Sequence, residues 1–354
     1  MATVRKIGTS RIVREIGRGG MGVVYEAFQE GLDRPVAVKA LDAKLARSKE
    51  LLERFRREGR AYAQLRHSAI VAVHDLVERE DTLYLVTDFV DGADLNKVLA
   101  KGGTVPPDAA AIVGARVAEA LDYVHFNKLL HRDIKPANIM LSRDGEVKLM
   151  DFGIAKDQTA ADLTKVGMLV GSPSYLAPEV LNGDPADARA DVWALGVTLY
   201  ELVTGEKPFR GKDAEELFDA IRRGGFRRIR SISPECPRRV ARAIERCLER
   251  RPRLRWRSAG ALARALDACA ARMLRGMHPQ ARLVALMANR GFADEKDALT
   301  RIDAASLMKT RALDEAGSDG VTKPFVLRRR RRFSWTLAAA LALAVGLAVW
   351  WVRL

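Results

Sequence analysis

The chain has 354 residues, 48% hydrophobic and 30% charged, a globular profile that excludes a disordered or fibrous protein and gives room for one large two-lobed domain or two ordinary ones. Its three cysteines, Cys236, Cys247 and Cys269, form no CxxC pair and have no histidine at ligand spacing, so they read as buried thiols in a reducing compartment rather than as a disulfide framework or a structural metal site. The net charge of +15 is uneven: residues 222–275 hold seventeen arginines against four acids, a local net of +13, and residues 328–332 are five arginines in a row.

The N-terminal MATVRKIGTS lacks the apolar core of a signal peptide. Residues 11–90 then read mostly as strands: RIVREIG, VVYEAF, PVAVKAL, IVAVHDLV and LYLVTDFV are short, β-branched and bounded by Gly, Asp or Pro. One helix interrupts them at about 48–65, with Leu51, Leu52, Phe55 and Tyr62 near helical spacing. From about residue 94 the pattern becomes helical. Residues 108–127 predict a long amphipathic helix, and residues 190–204 a more apolar, buried one. Strands first and helices second predict an α+β arrangement of two lobes, without internal repeats.

Chemistry-bearing groups punctuate this order. Gly17, Gly19, Gly22 and Val24 fit G-x-G-x-x-G-x-V between two strands, where missing side chains let a backbone approach phosphates. A glycine hairpin alone is also a common turn, and a dinucleotide fold is disfavoured because a strand follows, not a helix. Val36-Ala37-Val38-Lys39 puts a lysine on an apolar strand, costly inside unless paired; Glu58 on the intervening helix is the natural partner. Gly59 beside it weakens that helix by about 1 kcal/mol relative to Ala. His131-Arg132-Asp133-Ile134-Lys135-Pro136-Ala137-Asn138 and Asp151-Phe152-Gly153 supply a carboxylate for a hydroxyl, a lysine for a phosphate and two hard oxygen ligands for Mg²⁺.

In that order, these motifs resemble those of a protein kinase, and HRDIKPANIM, DFGIAK and LVGSPSYLAPE look most like the bacterial eukaryotic-type (Hanks-type) serine/threonine kinases. The resemblance covers roughly 11–272. It implies a two-lobed kinase-like fold and transfer of the ATP γ-phosphoryl group to protein Ser or Thr hydroxyls, autophosphorylation included. By resemblance Asp133 orients the substrate hydroxyl, Lys135 neutralises the transferred phosphoryl, and Asn138 and Asp151 hold Mg²⁺ (or Mn²⁺). Lys39 would contact the α and β phosphates and Glu58 would hold it. Ile16, Gly17, Gly19, Gly22, Val24, Ala37 and Met140 would enclose the nucleotide, with hinge residues Asp88 to Val90, Thr87 as gatekeeper and Asp94 on the ribose. Arg255 lies where the family pairs an arginine with Glu179. Arg132 would meet a phosphate on Thr164 or, alternatively, Thr159. Two departures stand out: Val166 occupies the place of a second activation-loop threonine, and Ser172 replaces the usual threonine.

The kinase-like pattern stops near residue 275, which leaves 273–327 as an expected helical juxtamembrane linker. Residues 328–334 read as a basic stop-transfer segment, and residues 335–352 are uncharged. At 1.5 Å per residue that run spans roughly 27 Å, enough for a transmembrane helix, with Trp335, Trp350 and Trp351 near its ends. The alternatives are a buried core helix or a soluble dimerisation helix. The arginines place the kinase-like part on the cytoplasmic side of the inner membrane as a single-pass tail anchor. Ala338, Ala342 and Gly346 form a small-xxx-small face suited to a homodimer, though such spacing arises easily among alanines. For residues 222–275 the plain reading is a solvated basic face and the sharper one is membrane lipid; nucleic acid is not expected, because no binding module or aromatic interleaving accompanies the arginines.

Overall fold

The computed structural model describes residues 6–19, 22–41, 49–79, 82–152 and 173–294. A six-stranded antiparallel sheet of order β1-β2-β3-β4-β6-β5 forms the N-terminal lobe. Its strands are β1 (Lys6–Ile7), β2 (Ser10–Gly19), β3 (Gly22–Gln29), β4 (Arg34–Leu41), β5 (Val73–Arg79) and β6 (Thr82–Asp88). Among the described residues, the helix α1 (Lys49–Ala63) lies between β4 and β5. Alternation along β4 buries Val36 and Val38 with Ala27, Tyr84 and Val86 in a small core. The register sets Ala37 opposite Thr87, and Lys39 between Val24 and Leu85.

A three-stranded sheet, β7 (Gly92–Asp94), β8 (Ile139–Ser142) and β9 (Val147–Leu149), begins the second lobe. Around it pack α2 (Leu95–Gly102), α3 (Pro107–Phe126), α4 (Pro178–Leu181), α5 (Ala188–Thr204), α6 (Ala214–Arg223), α7 (Ile229–Ile232), α8 (Arg238–Cys247), α9 (Ala259–Leu274) and α10 (Pro279–Asn289). α5 is the central post: Val192, Trp193, Leu195, Val197, Leu199, Tyr200 and Leu202 are all essentially inaccessible. A helix apolar on every side belongs in the interior, as its sequence predicts. Gly196 lets α8 approach α5, since a Cβ there would run into Cys247. Burial pushes the Cys247 thiol up to about 12 and the Cys236 thiol up to about 11, which makes both inert.

The strand-rich and helix-rich halves thus fold as the sequence predicts. The segment 273–327 differs over its described part. Residues 273 and 274 still belong to α9, and α10 is packed into the helical lobe rather than strung out as a linker. Leu283, Val284, Leu286 and Met287 are buried in the main core. Arg282 grips Asp108 of α3 through two bonds of 2.6 and 3.0 Å. Gln280 donates to the carbonyl of Asp144 at 2.7 Å, in the turn between β8 and β9. Gly145 in that turn has φ +78°, and a Cβ there would meet the Gln280 carbonyl at 2.5 Å. Among the described residues no helix is long and apolar enough to cross a membrane. The basic run 328–334 and the apolar run 335–352 lie outside the described residues.

Candidate active site

The β8–β9 hairpin and its flanks bring the predicted polar groups together. Asp133 is nearly buried, with 8% of its surface exposed. Its Oδ2 accepts from Lys135 Nζ at 2.9 Å and from Asn138 Nδ2 at 2.9 Å. Asn138 Nδ2 also donates to the Asp133 carbonyl at 2.7 Å and reaches the Asp151 carbonyl at 3.4 Å. Across the gap between lobes, Lys39 Nζ donates to Asp151 Oδ1 at 2.8 Å. Glu58 lies on α1, but its side chain is outside the described residues, so the described partner of Lys39 is Asp151.

Two of these segments hold uncommon backbone conformations. Arg132 has φ 63° and Asp151 φ 54°, left-handed values that cost non-glycine residues of order 1–3 kcal/mol. A buried carboxylate fixes the first. Asp191, at the start of α5, accepts the amides of His131 at 2.9 Å and Arg132 at 2.8 Å, and His125 Nε2 lies 2.8 Å away. Burial opposes its charge, but the His125 bond and the neighbouring histidines outweigh that and hold its carboxyl below the usual range. His131 is fully buried and desolvation lowers its pKa, so the ring is neutral. Its Nε2 donates to the Met150 carbonyl at 3.2 Å and its Nδ1 accepts from the Asp133 amide at 3.3 Å. A ring stack continues outward: His131 lies 4.5 Å from Phe152, which lies 4.1 Å from Tyr62 of α1.

Beside this cluster opens an apolar pocket. Ile16, Val24, Ala37, Leu41, Val90 and Met140 line it, with Lys39 and Asp151 at its polar end and Thr87 to Phe89 along the segment that runs from the end of β6 toward the second lobe. It continues past Leu85 to Gly59, Tyr62 and Val71. An apolar slot for a flat ring, ending in a lysine and carboxylate, suits a nucleotide whose phosphates point toward Lys39. Gly17 pairs with Val24 and Gly19 with Gly22 in the hairpin above. Asp88 fixes the connecting strand, because its carboxylate accepts the Ala72 amide at 3.0 Å and contacts His74 at 2.7 Å. Asp94 does not line the pocket. It caps α2 by accepting the Lys97 amide at 3.0 Å and pairs with the Lys97 ammonium at 3.1 Å.

The donor set fits a divalent cation of the hard class. Asn138 and Asp151 offer two oxygens, and no cluster of three or more His, Cys, Asp or Glu suited to a metal occurs among the described residues. Two protein oxygens suit Mg²⁺, which keeps waters and takes its remaining ligands from phosphates. Further along, Glu179 and Arg255 form the expected pair, bidentate at 2.6 and 2.7 Å and buried, with Arg255 lying 4.8 Å over Trp193. Thr159, Thr164 and Ser172 lie outside the described residues; Arg132 is described and exposed. Sequence reasoning missed His125, His74 and the Tyr175–Glu201 bond of 2.5 Å. No local signal marks them, because each partner lies far off in the chain.

Comparison with known proteins agrees with this geometry. The protein kinase domain model matches residues 10–266. The serine/threonine-protein kinase PknA of Mycobacterium tuberculosis strain H37Rv is 39% identical over 270 residues, covering 74% of this chain and 61% of its own length. PknH of the same strain is 36% identical over 256 residues, covering 72% of this chain and 41% of its own. The chain therefore spans about three fifths or less of the length of these curated relatives. Among solved structures, the Mycobacterium tuberculosis PknI kinase domain aligns with a TM-score of 0.62 at 30% identity, over 77% of this chain and 99% of that one. Rad53 residues 1–466, solved in complex with AMP-PNP, aligns with a TM-score of 0.62 at 27% identity, over 74% of this chain and 65% of that one.

Proposed function

The chain belongs to the protein kinase family, among the bacterial Hanks-type serine/threonine members, and from that premise we propose that it transfers the γ-phosphoryl group of ATP to Ser and Thr hydroxyls of proteins, itself included. The observation that carries this reading is the convergence of Asp133, Lys135 and Asn138 with the Lys39–Asp151 pair at the polar end of the apolar pocket.

The residues act by position and charge. Ile16, Val24, Ala37 and Met140 hold the adenine ring, and the Asp88 to Val90 segment presents its backbone to the ring edge. Lys39 orients the α and β phosphates and releases Asp151 as it does so. Asn138 and Asp151 would hold Mg²⁺, or Mn²⁺ in its place, and the ion would supply charge neutralisation for the phosphates. Asp133 accepts a hydrogen bond from the incoming hydroxyl and so aims its lone pair. Lys135, now on Asp133, shifts to the oxygens of the phosphoryl group in flight. Neutral His131 and ionised Asp191 keep the catalytic loop in its left-handed turn throughout. Arg132 pairs, as a hydrogen-bond donor, with a phosphate on Thr164, or alternatively Thr159, which orders the segment before Ser172.

The remaining parts of the reading concern placement. Residues 335–352 anchor the chain as a single-pass helix in the inner membrane with the catalytic part cytoplasmic, supported by eighteen uncharged residues that follow a run of five arginines after two intervening residues. Two anchored copies pair through Ala338, Ala342 and Gly346. The test of the chemistry is transfer of labelled phosphate from Mg-ATP to the chain and to a generic basic protein. Lys39→Met, Asp133→Asn and Asp151→Asn each lower the rate by orders of magnitude; undiminished transfer in Asp151→Asn removes the metal assignment. Anchoring is tested by extraction: release from membranes by high salt alone overturns it, since salt screens charge but not apolar burial.

A further inference from the structure

Residues 238–257 carry nine of the arginines and only two acids, Glu245 and Glu249. Eight of these nine arginines are exposed in the structure. α8 buries Val240, Ala241, Ala243, Ile244 and Cys247, and exposes Arg238, Arg239, Arg242 and Arg246. Positions 238, 242 and 246 are successive turns of one stripe. Arg250, Arg251, Arg253 and Arg257 follow, all exposed; only Arg255 turns inward. Of the two acids, Glu245 is turned away, its carboxylate held by Arg228 at 3.1 Å and by the Ile229 amide at 2.9 Å. Apart from Arg246, none of the exposed arginines of this stretch has an acidic or aromatic partner among the described residues, and Arg246 lies 4.4 Å over Trp256.

A merely solvated helix face mixes signs, because like charges one turn apart repel. This stripe keeps the repulsion along its whole length, and a polyanionic plane relieves it. Leu254 stands in its midst, 49% exposed, beside Arg246, whose Nε reaches the Leu254 carbonyl at 3.5 Å. An apolar group ringed by arginines suits the headgroup region of a bilayer. It does not suit a nucleic acid, which would draw on stacking, and the one aromatic ring here is covered by Arg246. No residue of this stretch lines the nucleotide pocket, so occupation of the face leaves the pocket open.

We propose that residues 238–257 form a docking surface for an anionic lipid bilayer, which holds the helical lobe against the membrane. The proposal deepens the anchoring reading and rests on it only for bringing this face near a bilayer. Each basic residue near an anionic surface raises partitioning about five-fold, so several acting together hold the lobe down and release it as salt rises.

The test uses the full chain reconstituted into vesicles of phosphatidylcholine alone or with one part in three of phosphatidylglycerol. Arginine modification by phenylglyoxal is followed peptide by peptide by mass spectrometry. The expected result is several-fold slower modification of Arg238, Arg242, Arg250 and Arg253 on the anionic vesicles, abolished by molar salt, with Arg14 and Arg18 of the strand-rich lobe unchanged. Equal modification on both vesicles overturns the proposal. Protection by an added DNA duplex with none by anionic vesicles also overturns it and reassigns the face to nucleic acid. If salt extracts the chain from neutral vesicles, the anchor has failed but the face has not. Flotation of the released chain with anionic vesicles then decides, and Arg238→Gln, Arg239→Gln and Arg242→Gln together lower that partitioning by on the order of 100-fold. The three glutamines keep helix propensity and leave α8's buried side untouched, and unaltered flotation of this variant overturns the proposal.

Discussion

If α10 is a structural member of the catalytic lobe, then damage to it destabilises a kinase domain that is nominally complete before it begins. Met287 is the sharpest probe, because it is fully buried on a helix beyond the last residue matched by the family model. Met287→Ala removes its side-chain atoms from a packed core and leaves a cavity, a change worth about 2–5 kcal/mol. For a lobe of this size each kcal/mol moves the unfolding midpoint by roughly 2 °C, so the midpoint falls by about 4–10 °C. Arg282→Ala removes two charged bonds to Asp108, whose side chains are 18% and 24% exposed; solvent screening limits the loss to about 1–2 kcal/mol. Asn289→Ala, on the exposed side, moves the midpoint by about 1 °C or less. The assay is thermal unfolding of the full chain followed by circular dichroism, with and without ATP. A chain ending at Arg275 uncovers the surface that Leu283, Val284 and Met287 occupy and is expected to aggregate, whereas one ending at Asp294 remains soluble. If Met287→Ala matches Asn289→Ala, α10 is not part of the fold's working core and the linker reading stands.

Other substitutions probe separate parts of the same framework. Glu179→Gln leaves the buried Arg255 guanidinium without its counter-charge and costs about 3–5 kcal/mol by chemical denaturation; a loss below 1 kcal/mol contradicts the buried-pair reading. Gly59→Ala places a methyl at an ordinary 3.9 Å from Leu76, so it strengthens α1 by up to about 1 kcal/mol and raises the midpoint by roughly 2 °C. A fall in the midpoint means that α1 cannot accept the extra carbon. His131 is held neutral, so the unfolded chain takes up its proton first as pH drops below about 6.5; stability is full above that value and is lost as pH falls toward the depressed folded pKa. Unfolding titrations between pH 7.5 and 5 are expected to show that slope, and His131→Phe to flatten it; an identical slope in the variant assigns the effect to another group.

The polar cluster at the end of the pocket was legible because phosphoryl transfer would draw its groups from short loops. Asp133, Lys135 and Asn138 lie within six positions, and the chemistry demands those side chains at that spacing. Lys39 was legible as an interior lysine needing a counter-charge; its described partner, Asp151, stands 112 residues away, and the Glu58 side chain lies outside the described residues. The fold's halves were legible from period-2 and period-3.6 patterns. What stayed hidden depends on long-range pairing. Arg282 and Asp108 are 174 residues apart, and no feature of PQARLVALMAN says which surface it covers. Asp94, expected on the ribose, is seen here as the cap of α2, a bond that a carboxylate one residue before a helix readily makes to its free amides. Asp191 sat in a recognisable phrase, yet the loop it braces begins 60 positions earlier.

Asp191 and the ring stack together explain how one site can depend on two lobes. The carboxylate ties α5, the rigid post of the helical lobe, to the backbone of His131 and Arg132. From His131 the contact passes through Phe152 to Tyr62, which sits on α1 and donates to the Leu130 carbonyl at 3.1 Å. Phe152 is the residue after Asp151, so a shift of α1 along this stack moves the Asp151 carboxylate relative to Asp133. Packed rings have few alternative arrangements, so that shift is a step between states rather than a gradual slide. Gly59 lies on the same helix three residues before Tyr62 and lines the inner end of the pocket. A glycine there lowers the helical stability of α1 by about 1 kcal/mol relative to alanine. Asp191 is the opposite case, because any movement of it must break three hydrogen bonds in a buried setting.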